Sequence, residues 1–128
     1  GTILWMTGPR TIERHSLPKL RAAAQQAGRP EPRLVAGMHI VLTANADEAS
    51  EQVSKKLALY GTMPSYRAML DIEGAEGPAD LALIGDEAVL DAGLDRLRDL
   101  GVSDFEASIL STEQGAEERT LRYLESRL

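Results

Sequence analysis

Three apolar runs along the chain predict β-strands. They cover Thr2–Met6, Leu34–Leu42 and Phe105–Leu110, and the first is closed by a Thr-Gly-Pro turn signal. The second run is interrupted only by Gly37 and His39. A strand without polar alternation is usually covered on both faces, so this run is typical of a parallel sheet.

The third run alternates between apolar and polar positions. Phe105, Ala107 and Ile109 would point to one face of the strand, and Glu106 and Ser108 to the other. Helices would cover the apolar side. The polar side suits the lumen of a barrel better than the second face of a doubly wound sheet.

Apolar positions spaced by three and four residues predict helices after each strand. The first helix runs from Thr11 to Gly28, and Pro18 divides it into a first turn and a main helix. The remaining helices are predicted to begin after Asn45 or Asp47, at Pro64, after Asp86 and from Gly115 onward. Between the third and fourth helices, Glu73–Asp80 is expected to be an irregular connection rich in glycine and proline.

The order of these elements predicts an α/β fold with parallel strands and right-handed crossovers. A closed eight-stranded barrel needs about 250 residues, whereas this chain has 128. We therefore predict one domain, residues 1–128, that is a partial (β/α)8 TIM barrel of three parallel βα units with a helical insertion. Gly1 leads directly into an apolar run, which we interpret as the cut edge of a longer chain. The two open edges of a three-stranded sheet predict a homodimer or other self-association.

Composition and charge narrow the classes of function. The net charge of −6 argues against a nucleic-acid partner. The chain has no cysteine and no apolar run long enough to span a bilayer, so we expect a cytoplasmic protein that does not interact with membranes. His15 and His39 have no second ligand at metal spacing, and no metal site is expected.

Four segments of the chain resemble the C-terminal part of luciferase-like monooxygenases. In order, they read GTILWMTGPRTIERHSLPKL, AGRPEPRLVAG, YGTMPSYRAMLDIEG and GPADLALIGDE. None of them is a specific motif alone, and the resemblance rests on their co-linear order. It extends over all 128 residues, from strand six to helix eight of the family's barrel. The branch that the chain resembles is the actinobacterial oxidoreductases that use the deazaflavin coenzyme F420.

The resemblance implies a cofactor, F420 or alternatively FMN, bound at the C-terminal ends of the strands. Hydride would pass between this cofactor and a small organic substrate. Most residues that hold the ring and do the chemistry belong to the family's N-terminal half. We therefore expect no catalytic residue in this chain, and expect the isolated chain to be inactive and without cofactor. The alternative is a self-contained small α/β binding or interaction domain without catalysis.

Ligands of a βα barrel bind where strands end and loops begin, which makes the end of the first strand a candidate site. The predicted substrate- or cofactor-binding residues there are Trp5, Met6, Thr7, Gly8 and Arg10. Arg10 matches a basic loop residue that contacts substrate in related deazaflavin enzymes; a solvated loop arginine is the alternative. Trp5 would either stack against a ligand or be a core aromatic residue.

Three further positions are candidates for contacts with the ligand. Thr43 follows the second strand and Ser111 the third, although helix capping would explain both residues equally well. Tyr66 lies in the helical insertion, which can overhang a barrel pocket. Packing among Tyr60, Tyr66 and their methionine neighbours is the alternative for this residue, because stripes at helical spacing are usually core.

Overall fold

A computed structural model describes all residues of the protein, 1–128, as one parallel sheet surrounded by helices. The strands are β1 (Thr2–Trp5), β2 (Leu34–Leu42), β3 (Leu83–Gly85) and β4 (Asp104–Ile109). The helices are α1 (Pro9–Thr11), α2 (Leu17–Gln26), α3 (Ala46–Thr62), α4 (Pro64–Glu73), α5 (Glu87–Asp99) and α6 (Ala116–Glu125). None of the helices combines the length and the apolar character that a membrane span requires.

The central strand is β2, which pairs in parallel with each of the other three strands. The Gly37 carbonyl accepts a hydrogen bond from the residue after β1, and the Thr43 N–H donates one to the end of β3. The Leu34 carbonyl instead accepts one from the residue before β4. Because alternate residues of a strand direct their backbone groups to opposite edges, β1 and β3 share one edge of β2 and β4 takes the other. The sheet is open and does not close on itself.

The two faces of β2 are covered by different helices. Leu34, Ala36, Met38 and Ile40 define the outer face, where they are buried against α2, α5 and α6 together with the π-helical turn Ile12–Ser16. The opposite, inner face is covered only near the C-terminal end of β2, where Val41 packs against α3, α4 and the 3₁₀ turn that follows α4. The predicted double coverage is therefore confirmed for the second half of the strand.

The first helical segment is divided near Pro18, as predicted. A π-helical turn, Ile12–Ser16, separates the single turn α1 from the main helix α2. Proline has no N–H to donate and its ring clashes with the carbonyl four residues earlier. A local widening of the helix accommodates it without ending the segment.

The sequence predicted three strands, but the structure has four. Leu83–Gly85 forms β3, where only a helix start at Asp86 was predicted. A three-residue strand is too short to show a periodicity of its own. The connection Glu73–Asp80 is also more regular than expected, because α4 extends to Glu73 and a 3₁₀ turn, Pro78–Leu81, follows.

Candidate functional site

The inner face brings together side chains from β1, β2 and β4 around Gly37. The rings of Trp5 and His39 meet edge to face, with centroids 5.1 Å apart and planes at 79°. A Cβ atom on Gly37 would lie 2.7 Å from Trp5 Cε3 and 3.3 Å from Glu106 Oε2, so both side chains converge over this glycine. His39 is in register with Ser108 on β4. The predicted orientation of the polar side of β4, away from the helices, is confirmed.

His39 is a buried polar residue without a hydrogen-bond partner. Only 7% of the residue is exposed, and neither Nδ1 nor Nε2 makes a hydrogen bond. The backbone of Ser108 lies near the ring and acts to raise its pKa, but it does not meet the geometry of a hydrogen bond. Burial lowers the pKa of His39 below its usual 6.5 because it disfavours the charged form. The imidazole is therefore neutral at neutral pH.

The rest of the inner face is only partly covered. Ile3 is 63% exposed, Trp5 and Val35 are half-buried, and Glu106 is exposed. A mixture of open apolar side chains with a carboxylate is unlike the outer face, where the corresponding positions of β2 are buried. The inner face is therefore one part of the sheet where a ligand or another piece of protein can be accommodated; an apolar groove beside Phe105 and Ala107 of β4, between α5 and α6, is another.

The end of β1 is strained. Met6 has a φ of 49°, in the left-handed region, and is 2% exposed. A buried residue other than glycine in this conformation persists only where its surroundings hold it, and such residues concentrate at functional sites. The Thr7 hydroxyl next to it donates to the Trp5 carbonyl (3.3 Å) and to Met69 Sδ (3.6 Å).

The loop after β1 is held by Glu73, the last residue of α4. One carboxylate oxygen of Glu73 accepts from the Arg10 N–H (3.1 Å), and the other accepts from the N–H and the hydroxyl of Thr11 (2.7 and 2.8 Å). A Cβ atom on Gly8 would lie 2.3 Å from Glu73 Cδ, so only glycine leaves room for this carboxylate. Glu73 thus occupies the positive end of the helical segment that begins at Pro9.

The Arg10 side chain also reaches α4. Its Nη1 donates to the Glu73 carbonyl at 3.0 Å, and the side chain is otherwise exposed. The guanidinium therefore stabilises the C-terminal end of α4, whose carbonyl groups have no partner within the helix. Its role as a substrate contact stays a prediction.

A second polar group lies at the C-terminal end of β2. The Thr43 hydroxyl accepts from the Asn45 N–H (3.0 Å) and donates to Glu113 Oε1 (3.0 Å). Arg119 binds Glu113 and also donates from Nε to the Leu42 carbonyl at 3.1 Å. The Thr43 hydrogen bond, supported by Arg119, lowers the pKa of Glu113 despite its partial desolvation. These contacts connect the end of β2 to α6.

The remaining predicted site residues lie apart from the inner face. Ser111 is exposed, and its carbonyl accepts from Lys56 Nζ. Tyr66 meets Tyr60 edge to face, with ring centroids 4.7 Å apart, and packs against the core beneath α3 and α4. Their contacts with a ligand are not tested by this structure and stay predictions.

The structure adds two groups to those that the sequence indicated. His39 was interpreted only as a poor metal ligand, although a histidine inside an apolar strand was a visible signal of a buried polar group. Glu73 had no local signal, because its partners lie 62 and 63 residues away along the chain.

Comparisons with known proteins show the fold of the chain. No protein-family profile matches the sequence, and no curated protein is significantly similar to it. Among solved structures, the chain is similar to an F420-dependent secondary alcohol dehydrogenase in complex with an F420–acetone adduct, with a TM-score of 0.61 and 13% sequence identity. At this identity, the likeness establishes a shared fold and nothing further. The open parallel sheet accordingly resembles part of a βα barrel.

The match is unequal in length. It covers 84% of this chain but only 36% of the dehydrogenase. The chain therefore corresponds to a minor part of the fold that it resembles.

Proposed function

We propose that the chain forms the C-terminal part of a luciferase-like oxidoreductase that uses F420, with FMN as the alternative cofactor. In this arrangement β1, β2 and β4 are strands six, seven and eight of a βα barrel, and the inner face lines its lumen. The observation that carries the proposal is the open sheet, whose partly covered inner face holds Trp5 and the unpartnered His39. The structural match to a larger F420-dependent dehydrogenase and the co-linear sequence resemblance support it.

The inner face fits the ring of such a cofactor. Trp5 offers an aromatic surface, and His39 offers two ring nitrogen atoms that lack partners. The N–H groups of Arg10 and Thr11 do not fit its phosphate group, because Glu73 already occupies them. When bound, the deazaflavin or flavin would accept or supply the hydride. The contacts predicted for Met6, Thr7, Gly8, Arg10, Thr43, Tyr66 and Ser111 belong to this proposal.

Activity then belongs to the whole barrel. The isolated 128 residues lack the rest of the wall, so we expect them neither to bind the cofactor tightly nor to turn over substrate. The unpaired edges of β1 and β4 expose backbone hydrogen-bonding groups, and we expect the isolated chain to self-associate through them.

The test compares the isolated chain with the product of its complete gene. F420 binding is measured by deazaflavin fluorescence and FMN binding by flavin fluorescence, and light scattering gives the mass of each protein in solution. We expect micromolar F420 binding by the complete product only, and dimers or larger species of the isolated chain. A gene that encodes no further barrel strands would refute the proposal, and a monomeric isolated chain would then favour the alternative of a self-contained binding domain.

A further inference from the structure

Glu73 takes up the hydrogen-bond donors that an anion would need in the loop after β1. Its carboxylate accepts from the Arg10 N–H at 3.1 Å and from the N–H and hydroxyl of Thr11 at 2.7 and 2.8 Å. Gly8 makes this approach possible, since a Cβ atom there would lie 2.6 Å from Glu73 Oε2. An anion from outside the chain would have to displace the Glu73 carboxylate before it could reach these donors.

The Arg10 guanidinium is compensated by the same residue. Arg10 is the only cationic side chain between Met6 and Thr11, and its Nη1 donates to the Glu73 carbonyl at 3.0 Å. This carbonyl belongs to the last residue of α4, and the C-terminal end of a helix carries a partial negative charge. Because the Glu73 carboxylate lies in the same loop, the formal charges of Arg10 and Glu73 cancel there.

The inner face beside this loop adds a negative charge. Glu106 is exposed on β4 and converges with Trp5 over Gly37. The cation at the end of β2, Arg119, is paired with Glu113. An anionic group that entered between the loop and the inner face would be repelled by Glu106 and would find the cations at the ends of β1 and β2 already engaged.

We propose that Glu73 is a specificity-determining residue that keeps anionic groups out of the loop after β1. The inference rests on the proposed function and adds a class of substrate to it. The part of the substrate that meets this loop is uncharged, as in an alcohol or a ketone, and is not a carboxylate or a phosphate ester. Any contact between Arg10 and the substrate is then a hydrogen bond to a neutral group.

The first experiment is the rescue of Glu73→Ala by acetate in the 128-residue chain. The substitution frees the donors of Arg10 and Thr11, and acetate supplies the carboxylate that they have lost. Because a ligand that binds the folded state stabilises it, acetate should recover about half or more of the lost melting temperature, relative to chloride at equal ionic strength. The wild type and the control Glu76→Ala, which removes an exposed carboxylate outside the loop, should not respond.

Fluorescence gives a second measurement on the same samples. Trp5 is the only tryptophan of the chain and lies at the end of β1. Its emission therefore reports on this end of the strand. We expect Glu73→Ala to shift the emission and acetate to return it toward that of the wild type, whereas chloride leaves it shifted.

The second experiment uses the complete gene product loaded with F420, or with FMN if it binds only that cofactor. The probe is lactate, a secondary alcohol that carries a carboxylate. We expect lactate to leave the melting temperature of the wild type unchanged and to raise that of Glu73→Ala, again relative to chloride. The comparison tests whether removing the Glu73 carboxylate is what admits an anion.

The outcomes separate this inference from the proposed function. If acetate acts on Glu73→Ala no more than chloride does, the inference is wrong, and the oxidoreductase proposal stands as long as the complete product binds F420 or FMN. The inference is also wrong if lactate raises the melting temperature of the loaded wild type or fails to raise that of loaded Glu73→Ala. If the complete product binds neither cofactor but acetate rescues Glu73→Ala, the proposed function and the substrate class fail, whereas the exclusion of anions by Glu73 stands.

A second variant covers the case in which Glu73→Ala does not fold. Glu73→Gln removes the charge and keeps an oxygen that accepts hydrogen bonds. With the Arg10 charge no longer balanced by a carboxylate, its melting temperature should rise in lactate. A Glu73→Gln protein that is no more sensitive to lactate than the wild type would overturn the inference.

Discussion

The outer and inner faces of β2 are built from alternate residues of one strand. They differ in how completely their side chains are buried and in whether the buried polar atoms near them have hydrogen-bond partners. On the outer face, Met38 and Ile40 are at most 1% exposed, and the buried Thr120 hydroxyl bonds both the Leu42 N–H and the Ala116 carbonyl. On the inner face, His39 has no partner and Ile3 is largely exposed. The difference indicates that the outer face contributes more to the stability of the fold than the inner face, much of which is uncovered.

The largest effect that we expect comes from truncating the outer face. Met38→Ala removes a side chain packed in the core with Leu34 and Leu97 and should lower the free energy of unfolding by about 2–5 kcal/mol. The matched change on the inner face, Val35→Ala, alters a half-buried neighbour and should cost about 1 kcal/mol or less. Urea denaturation measures both values. Equal losses would show that the inner face is as well packed as the outer one.

The contacts of Glu73 with the loop after β1 should contribute somewhat less to the free energy of unfolding than the packing of Met38. Glu73→Ala removes three hydrogen bonds to a charged acceptor and is expected to cost about 2 kcal/mol. Glu76→Ala is the control, because its exposed carboxylate is not part of this loop. If thermal denaturation gave the same melting temperature for both variants, Glu73 would not be what holds the strained end of β1.

Substitutions at two buried polar side chains should change the stability of the ligand-free 128-residue chain in opposite directions. Thr120→Val leaves the Leu42 N–H without a partner and should cost about 1–2 kcal/mol, whereas Thr120→Ser should largely preserve stability. His39→Leu removes two unsatisfied atoms and should stabilise the chain by about 1 kcal/mol. Destabilisation by His39→Leu would mean that the imidazole is already satisfied and would weaken the contrast between the two faces.

The smallest expected effect is at the contact between α5 and α6. Burial, together with the hydrogen bond that the Tyr123 hydroxyl donates to Asp91 (2.7 Å), raises the pKa of Tyr123 to about 12. A raised pKa means that the folded chain holds this proton more tightly than the unfolded chain, so the associated stability is full below pH 10 and is lost between about pH 10 and 12. Ultraviolet titration of the tyrosines should show one that ionises late, and Tyr123→Phe should remove it. A titration in which all tyrosines ionise near pH 10 would contradict the contact.

Much of the fold could be predicted because apolar spacing reports burial directly. Leu34–Leu42 was predicted to be covered on both faces, which holds for its second half, and the alternation of Phe105 to Ile109 assigned opposite faces to its side chains correctly. The short strand β3 was missed because three residues carry no period, and its pairing with β2 depends on contacts more than forty residues apart. For the candidate site, the loop after β1 was located from strand order alone, but the environment of Trp5 was left open between two alternatives.

The amino-acid sequence by itself determined the alternation of strands and helices and the faces on which their side chains lie, since these follow from local spacing. Only the tertiary structure decided that Glu73 occupies the N-terminal end of the helix after β1, that Met6 is strained and that His39 lacks a partner. Each of these features depends on which distant groups meet, and hydrogen bonds between residues far apart in the chain leave no periodic trace in the sequence.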